Sequence, residues 1–232
     1  MKERPIIMQP ESVAAILAGR KTQTLRVILP QPPSEVLRAE ACSGPDCGDG
    51  FHFIAKRGER EICEWHTKSL YGVPGDRLWV RETWATGKSF DDKSAKQIEA
   101  ACLDAGYKKP GAPLWYSSMP GALWTHRPWG DNDLQDFKGI GRARNAMFMP
   151  RWVSRITLEL TDVRVERVQD ISEADCIAEG IDVHGEDLSD RERADERRSQ
   201  YAWLWDSINA KRGYPWSSNP WVWVLGFKRV EK

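Results

Sequence analysis

The segment Lys21-Thr22-Gln23-Thr24-Leu25-Arg26 places an ammonium group, two hydroxyls and a guanidinium within six residues. A lysine with a lowered pKa can act as a base, a hydroxyl can be a nucleophile, and a guanidinium can stabilise negative charge. These are reactive or ligand-binding groups. Without further context, Lys21 and Arg26 are more often ordinary surface or ion-pairing residues, so the elements that position them decide their role.

The segment lies between a predicted helix and a predicted strand. Pro10 suits the first turn of a helix, and apolar residues recur on one helical face after it. Gly19 can end this helix in a left-handed conformation. In a strand, Thr24 and Arg26 share one face, whereas Lys21, three positions before Thr24, would point to the other face. Lys21 can therefore meet Thr24 only if the strand starts after Lys21. We therefore expect Lys21 to lie in the connection.

The order of predicted elements indicates an α+β fold. It runs strand, helix, three strands, two helices, strand, which fits a small mixed β-barrel with helices at its rim better than a doubly wound sheet. We predict a single domain over residues 1–232. Two long insertions are expected at about 31–70 and 85–145, where turn residues are frequent, and an acidic loop at about 182–196.

Composition limits the partners. The 34 basic and 34 acidic residues cancel, so no general attraction to nucleic acid or anionic membranes is expected, although residues 138–167 are locally basic. No apolar run is long enough to span a membrane, the charged start Met1-Lys2-Glu3-Arg4 leads us to expect no signal peptide, and five cysteines fit reduced thiols. We expect a soluble, cytoplasmic protein. The sequence does not indicate its oligomeric state. Some of the twelve tryptophans could stack on bases.

Four blocks of the chain resemble the ASCH family, a branch of the PUA-like β-barrels. Ile16 to Arg26 is similar to the family's signature, and the other blocks are Pro74-Gly75-Asp76 with its following strand, Ile156 to Ile181, and Trp223 to Lys228. The likeness includes the small bacterial N4-acetylcytidine amidohydrolases, and the whole chain is similar to phage and prophage ASCH proteins. The resemblance implies a PUA-like (ASCH) mixed β-barrel with rim helices.

The resemblance also implies a reaction. The catalytic lysine, threonine and glutamate of the amidohydrolases fall on Lys21, Thr24 and Glu179. A metal-independent amidohydrolase without cofactor would act here on N4-acylated cytidine or a related modified nucleobase. Thr24 would be the nucleophile or position a water, Lys21 would be the base, Glu179 would position them and shuttle the proton, and Arg26 would bind the cytosine carbonyl or the oxyanion.

Three further residues are candidates for binding the substrate. Arg81, Glu82 and Trp84 come at the end of the strand that follows Gly75, where the loops of a barrel meet ligands. An exposed ion pair beside a core tryptophan explains them equally well.

Two other functions remain open. The chain could be a non-catalytic module that binds RNA, single-stranded nucleic acid or modified DNA, with Arg142, Arg144 and Arg151 as its cationic contacts. It could also be a metal-independent ribonuclease that uses the same lysine.

The cysteines offer a weaker alternative. Cys42, Cys47, Cys63 and His66 have the atom types of a zinc site, but the spacing of the first two is a loose match. We expect unpaired thiols and no metal.

Overall fold

The computed structural model describes residues 1–42, 50–104, 113–117, 122–124, 140–183 and 189–230. The helices are α1 (Pro10–Leu17), α2 (Ala95–Asp104), α3 (Glu173–Ala178) and α4 (Asp190–Asn209). The strands are β1 (Glu3–Ile7), β2 (Gln23–Val27), β3 (Val36–Cys42), β4 (Gly50–Arg57), β5 (Arg60–Thr67), β6 (Arg77–Arg81), β7 (Trp84–Thr86), β8 (Pro113–Tyr116), β9 (Ala122–Trp124), β10 (Thr157–Arg167) and β11 (Trp221–Val230). Among the described residues, no helix combines the length and apolar content needed to cross a bilayer.

The strands form three sheets, so the predicted α+β class is confirmed. The largest has the order β1-β6-β10-β11-β2, and the others are β3-β4-β5 and β7-β8-β9. Each sheet is open in the described part of the chain, because the first and last strands in its order do not pair with each other. The expectation of a closed barrel is therefore wrong for the described residues, because closure requires a pairing between the first and last strands.

The chain divides into two compact units, each assembled from discontinuous segments. The first unit consists of Met1–Lys2, Ala18–Arg77 and Glu159–Lys228. The second unit consists of Glu3–Leu17, Leu78–Leu158 and Arg229–Lys232. The single domain stays a prediction.

In the first unit, β2 is held between a strand and a helical core. It pairs antiparallel with β11, with Thr24 opposite Leu225 and Arg26 opposite Trp223. Leu25 points to the other face and joins a buried cluster with residues of α3 and α4, including Cys176, Tyr201 and Trp205. Burial of a leucine side chain contributes about 1.5–3 kcal/mol. The alternation thus anchors β2 through Leu25 and leaves Thr24 and Arg26 together on the opposite face.

Helix α3 begins and ends where its sequence predicts. Ser172 caps its first turn in a reciprocal arrangement with Asp175, and Glu179 occupies the C-terminal cap. Gly180 follows with a φ of 88°, a conformation that costs a glycine little. These signals place Glu179 at a fixed helix end.

The predicted acidic loop at 182–196 is wrong from Asp190 onward, because α4 has already begun there. Ser189 accepts a hydrogen bond from the Glu192 amide, and the Glu192 carboxylate accepts one from the Ser189 amide. This capping box satisfies amides that a helix start otherwise leaves without partners. Residues 184–188 of the predicted loop lie outside the described range.

Each predicted insertion contributes a three-stranded sheet of its own. Residues 36–42 and 50–67 contain β3, β4 and β5 in the first unit. In the second unit, β7, β8 and β9 form the other sheet, and the second insertion also contains α2. One buried cluster of the second unit consists of Trp84, Ile98, Leu114, Tyr116, Met149 and Val153.

Candidate active site

Lys21 lies in the connection before β2, as the sequence predicted. The strand starts at Gln23, and Gly19 adopts a φ of 74°. Two backbone hydrogen bonds fix the connection: the Thr22 amide donates to the Ala178 carbonyl at 2.8 Å, and the Thr22 carbonyl accepts from the Phe227 amide at 2.8 Å. The Lys21 backbone is thereby held beside the end of α3.

The Lys21 ammonium forms a buried ion pair with Glu179. Its Nζ binds Glu179 Oε2 and also donates to the Glu179 backbone carbonyl at 2.9 Å. The two residues are only 4% and 6% exposed. Carbonyls at a helix end lack partners within the helix and carry partial negative charge, which favours a cation at this position. The contact joins residues that are 158 positions apart.

The Glu179 carboxylate is also held through its other oxygen. Oε1 accepts hydrogen bonds from the Leu25 amide and, at 3.3 Å, from the Tyr201 hydroxyl. β2 is the last strand in its sheet order, so Glu179 binds an amide of a sheet edge. Three donors from three parts of the chain therefore fix the carboxylate in one orientation.

Burial lowers the pKa of Lys21, and the neighbouring Glu179 carboxylate only partly opposes this effect. Burial in a low dielectric disfavours the charged ammonium. Loss of its proton therefore costs less here than at an exposed lysine. A lysine with a lowered pKa is better suited to act as a base, and such perturbed groups concentrate at functional sites.

Arg26 lies close to this pair, and Thr24 lies on β2, three residues after Lys21. Thr24 is 5% exposed, and no hydrogen bond among the described residues joins its hydroxyl to Lys21 or Glu179. Burial lowers the pKa of Arg26, whereas interactions with Tyr71, Glu179 and Tyr201 raise it. The guanidinium is therefore within electrostatic range of Glu179. We call Lys21, Thr24, Arg26, Glu179 and Tyr201 the Lys21 site.

Tyr201 was missed as a site residue. The apolar residues around it recur at helical spacing and predict a core position, and the structure indeed buries its ring in the core. Burial and the nearby Glu179 carboxylate raise the pKa of its hydroxyl well above the ordinary value, so it stays a neutral donor. The available signal was general: a buried tyrosine hydroxyl usually finds a hydrogen-bond partner.

The three predicted substrate-binding residues are engaged within the second unit. Glu82 is 1% exposed and accepts two hydrogen bonds from Arg155, at 2.8 and 3.0 Å. Arg81 donates to the Met147 carbonyl at 3.0 Å, and Trp84 belongs to the buried core. The ion pair is thus buried, not exposed. The role of Arg81, Glu82 and Trp84 in binding substrate stays a prediction.

A cationic cavity of about 320 Å³ lies in the second unit. Its lining includes Trp84, Arg142, Arg144 and Phe148. The Arg144 guanidinium donates to the backbone carbonyls of Lys93 and Phe90 and is therefore held in place, while Arg142 is exposed. Aromatic and cationic side chains of this kind can contact a base and a phosphate.

The structure gives different information on two of the four zinc-type residues named from the sequence. Cys47 lies outside the described residues. Cys63 is exposed, and its thiol donates to the Trp65 carbonyl at 3.6 Å.

No protein-family model, no curated protein and no solved structure matches this chain. The resemblance to the ASCH family therefore rests on the four sequence blocks.

Proposed function

We propose that this protein is an ASCH-type, PUA-like amidohydrolase that needs no metal and removes the acyl group from N4-acylated cytidine or a related nucleobase. The observation that carries the proposal is the buried contact between Lys21 and Glu179 beside Thr24. The reaction needs a base, a nucleophile or positioned water, and a carboxylate that orients them. Lys21 and Glu179 come together from distant parts of the sequence, and Thr24 follows Lys21 by three residues.

The pair can supply a base. Because charges are costly to bury, loss of the Lys21 Nζ proton to solvent costs less here than at an exposed lysine. The neutral amine then takes a proton from the Thr24 hydroxyl, or from a water bound to it, as the oxygen attacks the acyl carbonyl. Arg26 stabilises the oxyanion, or alternatively binds the cytosine carbonyl.

Collapse of the tetrahedral intermediate breaks the bond between the acyl carbon and N4. The Lys21 ammonium returns its proton to N4, so that cytidine leaves as the neutral amine. If Thr24 is the nucleophile, a water then hydrolyses its acyl ester. The products are cytidine and a carboxylic acid, and water supplies the added atoms on either route.

Turnover of N4-acetylcytidine by the purified protein tests the proposal. We expect release of acetate in the presence of a chelator, and loss of turnover in Lys21→Met, Thr24→Val and Glu179→Gln. These substitutions preserve side-chain size. Thr22→Ala is the matched control, because Thr22 lies in the same connection with an exposed side chain. Equal turnover in all three variants and the wild type would refute the assignment.

A nucleic-acid-binding role is the second candidate, and the cationic cavity in the second unit favours it. It predicts binding of single-stranded RNA that weakens with salt and on the substitution Arg142→Ala. Incubation of end-labelled RNA with chelator separates this role from a ribonuclease, which would generate cut products. Absence of RNA binding at low salt would exclude the nucleic-acid-binding role.

A further inference from the structure

Three metal-binding side chains meet on the sheet formed by β3, β4 and β5. They are Cys42, His52 and His66, one from each strand, and their ligand atoms all lie within 4.8 Å of one another. We call these three residues the β3–β5 cluster. None of them belongs to the Lys21 site.

Strand pairing places these side chains on one face. His52 is directly opposite His66, and Cys42 is opposite Gly50, two residues before His52. Directly opposite residues, and residues two apart on one strand, share a face of a sheet. The register of three strands therefore places all three residues on the same face of the sheet.

The His66 ring has an unsatisfied nitrogen. Its Nε2 atom is buried and has no hydrogen-bond partner among the described residues. Most buried polar atoms in proteins do have one, so the exception calls for a reason. The His52 and His66 rings meet edge to face, with centroids 5.1 Å apart.

Gly50 makes room for the His66 ring. A β-carbon at this position would lie 2.5 Å from His66 Nε2 and 2.9 Å from the Thr67 carbonyl oxygen. Real side chains do not approach so closely. A glycine is thus needed beside Cys42 for the imidazole nitrogen to occupy its present place.

We propose that the β3–β5 cluster binds one zinc ion. Zinc prefers sulfur and imidazole nitrogen, whereas magnesium and calcium prefer oxygen. In a tetrahedral site, bond lengths of about 2.0–2.3 Å place neighbouring ligand atoms roughly 3.3–3.7 Å apart. The present limit of 4.8 Å needs closure by about 1 Å, which small side-chain rotations supply.

The proposed site has three protein ligands and one position for water. Zinc replaces the proton of the Cys42 thiol, and the buffer takes up that proton. All three residues are half-exposed, so the ion can enter from solvent. The site is independent of the proposed amidohydrolase, and removal of zinc therefore leaves turnover at Lys21 intact.

Metal titration of the reduced, metal-free full-length protein tests this inference. Zinc is titrated in competition with a fluorescent indicator, and cobalt(II) serves as the spectroscopic probe. We expect one equivalent of each metal to bind, and the cobalt protein to show a thiolate charge-transfer band with the visible bands of a tetrahedral ion. Uptake of less than half an equivalent, or a cobalt spectrum without the thiolate band, overturns the proposal.

Single substitutions identify the ligands. Loss of residues that only support a metal ligand costs 10–100-fold in affinity, so Cys42→Ser, His52→Ala and His66→Ala should each weaken zinc binding by at least about 100-fold. Cys63→Ser is the matched control, since Cys63 lies on β5 of the same sheet and outside the cluster. Circular dichroism confirms that each variant is folded.

The Cys63→Ser control also tests which cysteine supplies the thiolate ligand. If Cys63→Ser removes the cobalt thiolate band and Cys42→Ser keeps it, the assignment is wrong. Zinc affinity that is unchanged in both histidine variants overturns it as well. The wild-type cobalt spectrum reports on the thiolate even if a variant fails to fold.

Discussion

Each unit of this chain buries a carboxylate against a cation, and the two pairs are built for different purposes. In the second unit, Arg155 grips Glu82 with two parallel hydrogen bonds. In the first unit, Lys21 contacts a single oxygen of Glu179 and a backbone carbonyl. Arginine keeps its proton in proteins, whereas a buried lysine can lose it. Burial of charge alone therefore does not mark a reactive site.

The surroundings of the two pairs reinforce the difference. Arg155 lies over the Tyr116 ring, at 4.1 Å from its centroid, in an aromatic environment. Lys21 and Glu179 are surrounded by groups that donate or exchange protons, including the Tyr201 hydroxyl and the neighbouring Thr24. The pair of Arg155 and Glu82 is suited to hold a structure, and the pair of Lys21 and Glu179 is suited to move a proton.

The largest expected effect is on catalysis. Lys21→Met should lower kcat for N4-acetylcytidine by about 100- to 10,000-fold, the usual contribution of a general base. Arg155→Met is the matched control, and it should leave kcat per folded molecule unchanged. Steady-state kinetics at saturating substrate measures both. A loss of kcat in Arg155→Met as large as that in Lys21→Met would show that the two ion pairs do not differ in their importance for catalysis.

The second effect is on stability. Removal of the cation from either buried pair leaves an uncompensated carboxylate and should cost about 3–5 kcal/mol of unfolding free energy. Replacement of both partners separates the pairs. Arg155→Met with Glu82→Leu should recover most of the loss, because an apolar pair can replace a buried ion pair.

Lys21→Met with Glu179→Leu should recover less. The Leu25 amide and the Tyr201 hydroxyl would then lose their common acceptor, and each unsatisfied buried group costs about 1–3 kcal/mol. Urea unfolding measures the four variants. Equal recovery in the two double variants would show that Glu179 is no more than an ion-pair partner.

The third effect is on pH dependence. The folded-state pKa of Lys21 is lowered from the ordinary value of 10.5. Activity that needs the neutral amine should therefore rise with pH and level off at a pKa below 10.5. The unfolded chain binds this proton more tightly than the folded one, so the free energy of unfolding also rises with pH between the folded-state value and 10.5.

A profile of kcat/KM against pH measures this prediction, with urea unfolding at each pH. The stability change between the folded-state pKa and 10.5 should disappear in Lys21→Met and persist in Arg155→Met, because arginine does not titrate in this range. Tyr201 does not produce the limb in activity, since its raised pKa keeps the hydroxyl neutral. A rise in kcat/KM that is centred at or above pH 10.5 would argue against a lowered pKa of Lys21.

The smallest effect concerns the tyrosines. Tyr201→Phe removes one donor from Glu179 and should cost about 1 kcal/mol of stability and less than about tenfold in kcat. Tyr116→Phe is the matched control, because its buried hydroxyl donates to the Val153 carbonyl at 2.8 Å. It should cost similar stability and no kcat. A change in kcat that is equal in both variants would remove Tyr201 from the Lys21 site.

Local signals in the sequence predicted the elements that carry the site. Gly19 indicated the turn before β2, and Ser172 and Gly180 indicated the limits of α3. The capping box at Ser189 was equally readable, but the run of acidic residues suggested a solvated loop. Such features depend on neighbours within four residues, which is the range over which sequence patterns act.

Long-range features were less accessible. The pairing of Lys21 with Glu179 followed from a family resemblance and not from spacing, since 158 residues separate them. His52 was not named as a metal ligand because its position opposite His66 depends on strand register. The barrel was expected from the number of strands, whereas closure depends on which strands pair.

The most direct test of the central claim is acetate release from N4-acetylcytidine in the presence of a chelator, with wild-type protein and Lys21→Met compared at equal folded concentration. We expect turnover by the wild type and a rate at least about 100-fold lower in the variant. Equal rates in the two proteins, or no release of acetate by the wild type, would contradict it.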